Sequence, residues 1–462
     1  MPSGISVTYS VAPLPECPPA SIRVEGFGRV REATIELAPL TILVGKNNTG
    51  KSYIAYLLWA MRSSAWGKRG QPYLGVPAPD WFRAYVETAR ESGERPLEIS
   101  AEVVSPYINK WLAENANDIA SDILSVSGTQ IGKLELSFSG SVWLFPRSEH
   151  PEWFNKEHFD SLSLDAWGFS WSNEFNVDKE SGLVTVSDHN AADLLFSMSV
   201  EKLLFKSITG HMNRSAYLPA ARTGLVLAIR ELAASVMDAF SLSSDKAEFS
   251  QFSRPMVSFL TSLVRGGNET RENLTTSIAE FLENNILVGH IETEGRSSPS
   301  FFYKPSGTDV RLPMHAVSSM VSELTPFIRL LRTGQIRDGL VIEEPEAHLH
   351  LSAQRCMARA LVKLVNLGIP VTITTHSDTF LQQINLLMQI YSHPKREDLL
   401  LKLGYAEDEL LDPSKAIAYE FISNGGGTNV VLAEKTSDGF VIESLNETLF
   451  ELANIIVEVA EL

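Results

Sequence analysis

The stretch Leu40–Ala55, LTILVGKNNTGKSYIA, decides the fold of this chain. Its opening run, Leu40–Val44, has the apolar character of a strand that is buried on both faces of a sheet. The segment from Gly45 to Ser52 then matches G-x-x-x-x-G-K-[ST] in full, and a helical pattern continues to about Trp66. A strand, a glycine loop and a helix in this order are the context that a phosphate-binding loop requires.

The glycine loop predicts a nucleotide site. Its backbone N–H groups turn inward around phosphates, and the helix N-terminus adds its positive pole. Lys51 is placed to reach the β- and γ-phosphates, and the Ser52 hydroxyl to bind Mg²⁺. We therefore expect ATP and Mg²⁺ as cofactors, with the nucleotide held by Gly45, Lys46, Asn47, Asn48, Thr49, Gly50, Lys51 and Ser52. The alternative, a glycine-rich turn without a ligand, is disfavoured by the buried strand before it.

A second motif, LVIEEPEAHLH, occupies Leu340–His350. An apolar strand that ends in an acid is how phosphate-binding-loop proteins hold Mg²⁺ beside the phosphates, and Glu343 takes that place. Glu344 follows directly and is placed to orient and deprotonate the attacking water. The alternative is a strand with an acidic, solvated end.

The third motif, Thr374–Asp378 (TTHSD), ends the next apolar strand. Ligands of open α/β folds bind at this carboxyl edge of a parallel sheet, so we expect His376 to hydrogen-bond the γ-phosphate or the water. Buried strands alternate with helices around these motifs. The fold class that they predict is α/β with a mainly parallel sheet.

The rest of the chain divides by its sequence patterns. Residues 67–207 mix short helices, alternating strands and four tryptophans, which favours an inserted lobe whose tryptophans form a small core rather than a base-stacking surface. The apolar-rich closing helix at 445–462 is expected to pack as core. The predicted parts are a flexible N-terminus (1–20), the first part of the ATPase core (21–66), the inserted mixed lobe of unknown role (67–207), a core strand (208–222), a helical insertion (223–288) and the second part of the core (289–462).

Composition limits where the protein works and what it binds. The net charge of −17 argues against broad coating of nucleic acid, although a local basic groove stays open. Cys17 and Cys356 match no metal-ligand spacing, which suits a reducing cytosol. The start has no signal-peptide pattern, and no stretch reaches the ~20 apolar residues of a membrane span. We expect a cytoplasmic protein with no membrane contact.

The three motifs resemble the ATPase heads of the SMC, RecF and OLD branch of the ABC superfamily, a P-loop NTPase fold. The resemblance covers residues 21–66 and about 310–450, and it is closest to OLD-like bacterial ATPases, many of them encoded in anti-phage operons. It implies that Glu344 is the catalytic base and His376 the switch residue. It places His350 at the D-loop position, which crosses a dimer interface.

The same resemblance implies a site completed by a second subunit, in a homodimer or a higher homo-oligomer. The candidate signature loop is Ala316–Met320, in which Ser318 and Ser319 would donate to the γ-phosphate held by the other subunit. The family usually has glycine where Met320 stands, and an ordinary helix cap is the alternative. Arg222 lies where such heads place the Q-loop, so a nucleotide-sensing role is one interpretation.

Two functions from different classes fit this resemblance. The first is an ATP-driven sensor or scaffold of an anti-phage system that gates a separate effector, a nuclease or toxin, on a DNA or phage-derived trigger. The second is a RecF-like DNA repair or chromosome-maintenance ATPase that binds DNA directly. The family's TOPRIM nuclease needs an Asp-x-Asp pair, and the residues after His376 contain none. A degenerate nucleotide-binding module is disfavoured because Lys51, Ser52, Glu343 and Glu344 are intact.

Overall fold

The computed structural model describes residues 20–63, 75–92, 97–146, 166–171, 176–178, 183–186, 191–208, 215–229, 252–265, 273–295, 299–442, 444–445 and 454–459. Four sheets account for its strands. In chain order the strands are β1 (Ser21–Phe27), β2 (Val30–Glu36), β3 (Leu40–Gly45), β4 (Leu97–Ser100), β5 (Lys133–Ser137), β6 (Ser141–Pro146), β7 (Ala166–Trp171), β8 (Asn176–Asp178), β9 (Leu183–Val186), β10 (Ala216–Leu218), β11 (Gly289–Glu294), β12 (Ser300–Pro305), β13 (Leu312–Pro313), β14 (Leu340–Glu343), β15 (Val371–Thr375), β16 (Ala416–Asn424), β17 (Gly427–Leu432), β18 (Glu434–Thr436) and β19 (Gly439–Val441).

The main sheet has nine strands in the order β10-β14-β15-β3-β16-β17-β2-β1-β5. The five strands from β10 to β16 are parallel to their neighbours within that set, and antiparallel pairs join β16 to β17, β2 to β1 and β1 to β5. All six residues of β3 are buried, as expected for a central strand. The predicted α/β class with a mainly parallel sheet is confirmed.

Helices connect these strands along the chain. They are α1 (Lys51–Arg62), α2 (Asp80–Ser92), α3 (Ala101–Leu124), α4 (Ala191–Ile208), α5 (Arg222–Leu227), α6 (Arg254–Arg265), α7 (Thr276–Leu282), α8 (Ser319–Arg332), α9 (Leu351–Asn366), α10 (Asp378–Ser392) and α11 (Arg396–Leu403). The helices that follow β14 and β15 begin with side-chain caps: the His350 ring accepts from the Ser352 N–H before α9, and the Ser377 hydroxyl accepts from the Phe380 N–H before α10.

The predicted bounds of the inserted lobe, 67–207, do not agree with the way the strands pair. β5 lies inside 67–207, yet it pairs antiparallel with β1, so that Leu134 stands opposite Val24. Helix α3 packs on β5 and on α1. This part of the interval therefore belongs to the main sheet, and the mixed sheet β4-β6-β7-β9-β8 is what remains of a lobe. Of the four tryptophans, Trp153 lies outside the described residues, and Trp143, Trp167 and Trp171 lie on β6 and β7, so the small tryptophan core stays a prediction.

The two ends of the chain also differ from expectation. Residues 1–19 lie outside the described residues, but Ala20 is buried and its carbonyl accepts from the Leu37 N–H at 2.8 Å. At the other end, residues 454–459 are helical with all six side chains exposed, at 55–68% for Ile455, Ile456, Val457 and Val459. The expectation that this closing helix packs as core is wrong for those residues. Among the residues described, no helix combines the length and apolarity needed to cross a bilayer.

Candidate active site

The glycine loop starts where β3 ends, at the carboxyl edge of the parallel strands. Gly45 has φ 153°, and a Cβ there would lie 2.8 Å from the Phe421 carbonyl oxygen of the neighbouring β16. Gly50 has φ 94°, and its Cβ would meet the Val30 side chain at 2.8 Å. At both positions the backbone has a conformation that L residues rarely adopt, and there is no room for a side chain. These two constraints explain the two glycines of the motif.

Lys51 is folded back over this loop. Its Nζ donates to the carbonyl oxygens of Gly45 at 2.7 Å and Lys46 at 2.8 Å. Burial lowers the pKa of the Lys51 ammonium, and the charges of Glu344, Glu346 and Glu343 oppose that shift. The glycine loop and the acidic motif, about three hundred residues apart in sequence, are therefore neighbours in space.

Glu343 is buried at the end of β14 beside the start of α1. Its Oε2 accepts from the Tyr217 hydroxyl at 2.5 Å. Burial raises the pKa of the Glu343 carboxyl, and hydrogen bonding to the Ser52 and Tyr217 hydroxyls works in the opposite direction. Oε1 makes no hydrogen bond of standard geometry. A buried carboxylate oxygen beside a serine hydroxyl is a suitable pair of ligands for Mg²⁺, which prefers oxygen.

Glu344 turns away from the strand that ends at Glu343. Its φ of 43° lies in the left-handed region, which is uncommon for a residue with a side chain. Its N–H donates to the Thr374 carbonyl at 2.9 Å. The half-buried carboxylate lies 3.9 Å from His376 Nδ1, so the predicted base and switch residue share one edge of the sheet, where a water activated by Glu344 would also meet His376.

Glu346 is a site residue that sequence reasoning missed. It is buried, and its Oε1 accepts from the Thr375 hydroxyl at 2.7 Å and from the His376 N–H at 2.9 Å. The same oxygen lies 3.5 Å from His376 Nδ1. The third carboxylate of the EEPE run was the available signal, but only the pairing of β14 with β15 brings it under His376.

Arg222 is buried against the backbone of the acidic motif. Its guanidinium is buried and donates to the carbonyl oxygens of Pro219, Glu343 and Glu344, and NH2 also lies 2.5 Å from Glu323 Oε1. The contacts of this side chain are thus with the backbone of the acidic motif, and a nucleotide-sensing role for Arg222 stays a prediction. An isolated arginine after a strand gave no signal of this role.

The candidate signature residues are not brought to the glycine loop of the same subunit. Ser318 and Ser319 are exposed at the start of α8, and the Ser318 hydroxyl makes no capping bond. Helix α8 packs on α5, α6, α7 and β11. His350 is exposed too, and its Nδ1 lies 3.0 Å from the Ser352 hydroxyl. All three residues are exposed, and their contacts with a nucleotide held by a second subunit stay predictions.

Comparison with known proteins agrees with this geometry. A family model described as "AAA ATPase domain" matches residues 20–124 and 243–381, a little over half of the chain. Both the glycine loop and the acidic motif fall within it. No curated protein matches the chain.

Solved structures similar to the chain include three SMC heads. One is an SmcHead bound to the C-winged helix domain of ScpA, with 10% identity, 89% of this chain and 96% of that chain covered, and a TM-score of 0.36. The SMC head domain from Thermotoga maritima has 11% identity, 90% and 98% coverage, and a TM-score of 0.32. The third is the Smc head domain with an extended coiled coil, bound to the C-terminal domain of ScpA derived from Pyrococcus furiosus. It has 10% identity, 95% of this chain and 98% of that chain covered, and a TM-score of 0.35. The family follows from the sequence match, and the chain belongs to the AAA ATPase domain family.

Proposed function

We propose that this protein binds ATP with Mg²⁺ and hydrolyses it at an ABC-type site. One observation carries the proposal: β3, which ends at the glycine loop, and β14, which ends at Glu343, both pair in parallel with β15, so Lys51 and the acidic motif lie at one edge of the sheet. A phosphate-binding lysine and a pair of consecutive acids at one sheet edge are the parts that phosphoryl transfer to water needs.

Each residue has a role in this proposal. Lys51 and the loop N–H groups bind the phosphates, and Ser52 with Glu343 would hold Mg²⁺, which supplies charge neutralisation on the phosphate oxygens. Glu344 orients the attacking water and accepts its proton. His376 lies on the Glu344 side of the site, where its ring would contact the γ-phosphate or the water.

We further propose that the site is completed by a second copy of the chain. The support is the position of Ser318 and Ser319, exposed at the N-terminus of a helix of 14 residues. Such a helix end attracts a phosphate, and among the described residues these hydroxyls make no hydrogen bond to the glycine loop of their own subunit. The assembly would be a homodimer or a larger homo-oligomer with composite sites.

The test compares two substitutions that separate binding from turnover. Lys51→Ala is expected to weaken ATP binding more than tenfold, because it removes the side-chain charge matched to the β- and γ-phosphates. Glu344→Gln is expected to keep the affinity within about threefold and to slow hydrolysis by about 10²–10⁴-fold, the usual contribution of a general base. Glu434→Gln, on an exposed strand, is the control and should match the parent.

Calorimetric titration gives the affinity, and phosphate release with and without Mg²⁺ gives the turnover. Parental turnover by Glu344→Gln would contradict the assignment of the base. Binding and hydrolysis that do not respond to Lys51→Ala would contradict the site as a whole.

The cellular role that we propose is that of a cytoplasmic sensor or scaffold in anti-phage defence, whose ATP cycle gates a separate nuclease or toxin. Its support is the resemblance of the three motifs to OLD-like ATPases. Co-expression with the product of the neighbouring gene tests it, and nucleotide-dependent capture is the expected result. Tight, salt-sensitive DNA binding by this chain alone, with no capture, would favour the RecF-like alternative.

A further inference from the structure

A fully buried ion pair lies between the acidic motif and α8. Arg222 NH2 and Glu323 Oε1 are 2.5 Å apart, and the two side chains are only 2% and 1% exposed. Removing two charges from water is costly and is tolerated when good geometry and further hydrogen bonds compensate. The remaining contacts of both side chains therefore indicate what the pair does.

The contacts of Arg222 lead to the catalytic acids. NH1 donates to the Glu343 carbonyl at 2.6 Å and to the Pro219 carbonyl at 3.0 Å, and NH2 donates to the Glu344 carbonyl at 2.9 Å. A planar guanidinium with several donors in fixed directions orients such a group of carbonyls well. Arg222 thus binds the backbone of both acids rather than their carboxylates.

The backbone of Glu344 is held from both sides. Its left-handed φ of 43° is a conformation that persists only when the surroundings impose it. The Thr374 carbonyl accepts the Glu344 N–H at 2.9 Å, and Arg222 donates to the Glu344 carbonyl. Fixing this peptide fixes the direction in which the Glu344 carboxylate leaves it, and a base must be oriented before it can act on water.

The contacts of Glu323 lead in the opposite direction, to α8. Glu323 lies four residues after Ser319, so it sits one turn into the helix that starts at the exposed signature residues. Its Oε2 accepts from the Thr223 N–H at 3.2 Å and from the Thr223 hydroxyl at 2.7 Å. One buried cluster thus joins the Glu344 backbone to the first turn of α8.

We propose that Arg222 and Glu323 are positioning residues for the hydrolysis reaction. The pair holds Glu344 in its left-handed conformation and ties it to the first turn of α8, so that a phosphate bound at Ser318–Ser319 acts on the base of the same subunit. The proposal rests on the proposed ATPase function and adds a link between the two faces of one subunit.

The test removes the pair. The double variant Arg222→Met with Glu323→Leu replaces the ion pair by apolar side chains of similar volume, but it also leaves Thr223 without its acceptor, so thermal denaturation first establishes that the variant is folded. We expect an ATP Kd within threefold of the parent, because the glycine loop is untouched, and a kcat at least tenfold lower. Arg222→Lys, which keeps the charge, should recover part of that loss.

The matched control removes an ion pair at the other end of α8. Arg332 NH2 and Glu283 Oε2 lie 2.6 Å apart, and both side chains also hydrogen-bond the backbone of Ile291 in β11. Arg332→Met with Glu283→Leu is expected to lower the melting temperature, but kcat should stay within twofold of the parent. An equal loss of kcat in both double variants would indicate a general loss of structure and would overturn the positioning role.

Hydrogen exchange tests the tie to α8 without relying on activity. Loss of the Arg222–Glu323 pair should speed amide exchange at least threefold both in residues 340–346 and in the first turn of α8. Faster exchange in only one of these segments would overturn the link. Parental kcat in the folded double variant would overturn the positioning role, whereas an inactive parent protein would instead overturn the proposed ATPase function.

Discussion

Glu343 shows how a buried carboxylate makes the folding stability of the nucleotide-free protein depend on pH. Burial raises the pKa of its carboxyl above the usual 4.5, so the folded chain keeps the proton to a higher pH than the unfolded chain does. The stabilising contribution of Glu343 is therefore complete below pH 4.5 and is lost as the pH rises through the raised pKa.

Glu343→Gln is accordingly expected to raise the melting temperature of the nucleotide-free protein at pH 7, because it removes the buried charge. The gain should shrink as the pH falls toward the ordinary carboxyl range. Thermal denaturation across this pH series measures it, and hydrolysis with Mg²⁺ should be lost in the same variant. A melting temperature at pH 7 below that of the parent would contradict the expectation.

Glu346 allows a second comparison, between Glu346→Gln and Glu346→Ala. Glutamine keeps an acceptor for the Thr375 hydroxyl and the His376 N–H, whereas alanine leaves both of these donors without an acceptor. We expect the alanine variant to lose about 1–3 kcal/mol of unfolding free energy, the cost of unsatisfied buried groups, and the glutamine variant to lose less. Urea denaturation compares them, and an equal loss in both would contradict the role of the acceptor.

At the scale of elements, the glycine loop depends on its packing against β16. Gly45→Ala would combine a φ of 153° with a Cβ that lies 2.8 Å from the Phe421 carbonyl oxygen. We expect a loss of about 1–3 kcal/mol, as for other strained backbone sites, together with weaker ATP binding. Gly425→Ala is the matched control, since a Cβ there meets nothing within 4 Å. Equal stability of the two variants would contradict this account.

The sequence predicted those strands and helices that are marked by a short pattern of neighbouring residues. β3 and α1 follow from an apolar run and a glycine loop, and β14 and β15 from apolar runs with polar ends. The resulting edge of the sheet then brings Glu344 and His376 together as expected. Local patterns suffice here because parallel strands align their carboxyl ends.

The remaining features depend on contacts between distant segments. The pairing of β5 with β1 joins residues about 110 positions apart, and no local pattern specifies the partner of such a strand. The same holds for Arg222, whose partners Glu323 and Glu344 lie 101 and 122 residues further on. Periodicity identifies an element, but it does not identify which buried charges will meet.

At the scale of the whole molecule, the exposed Ser318–Ser319 end of α8 predicts a working unit larger than one chain. Ser319→Arg places a bulky cation at a helix N-terminus, where positive charge is disfavoured. We expect this variant to bind ATP at its own glycine loop but to lose dimerisation and turnover, as measured by light scattering and phosphate release.

Mixing Ser319→Arg with Lys51→Ala subunits should restore at most one working site per dimer. The intact glycine loop of one subunit then faces the intact serines of the other, and the second site carries both defects. Full activity of a strictly monomeric preparation would contradict the composite site, and so would a mixture that stays as inactive as its components while dimers form.

The strand order also has a consequence for protein synthesis. β3, which carries the glycine loop, lies between β15 and β16, and both are made more than three hundred residues later. During translation β3 stays without a partner on either side until β15 has left the ribosome, and only after β16 follows can that strand close over Gly45. A nascent chain is therefore unable to complete its nucleotide site early, and the unpaired apolar strand is the segment most in need of a chaperone during that interval.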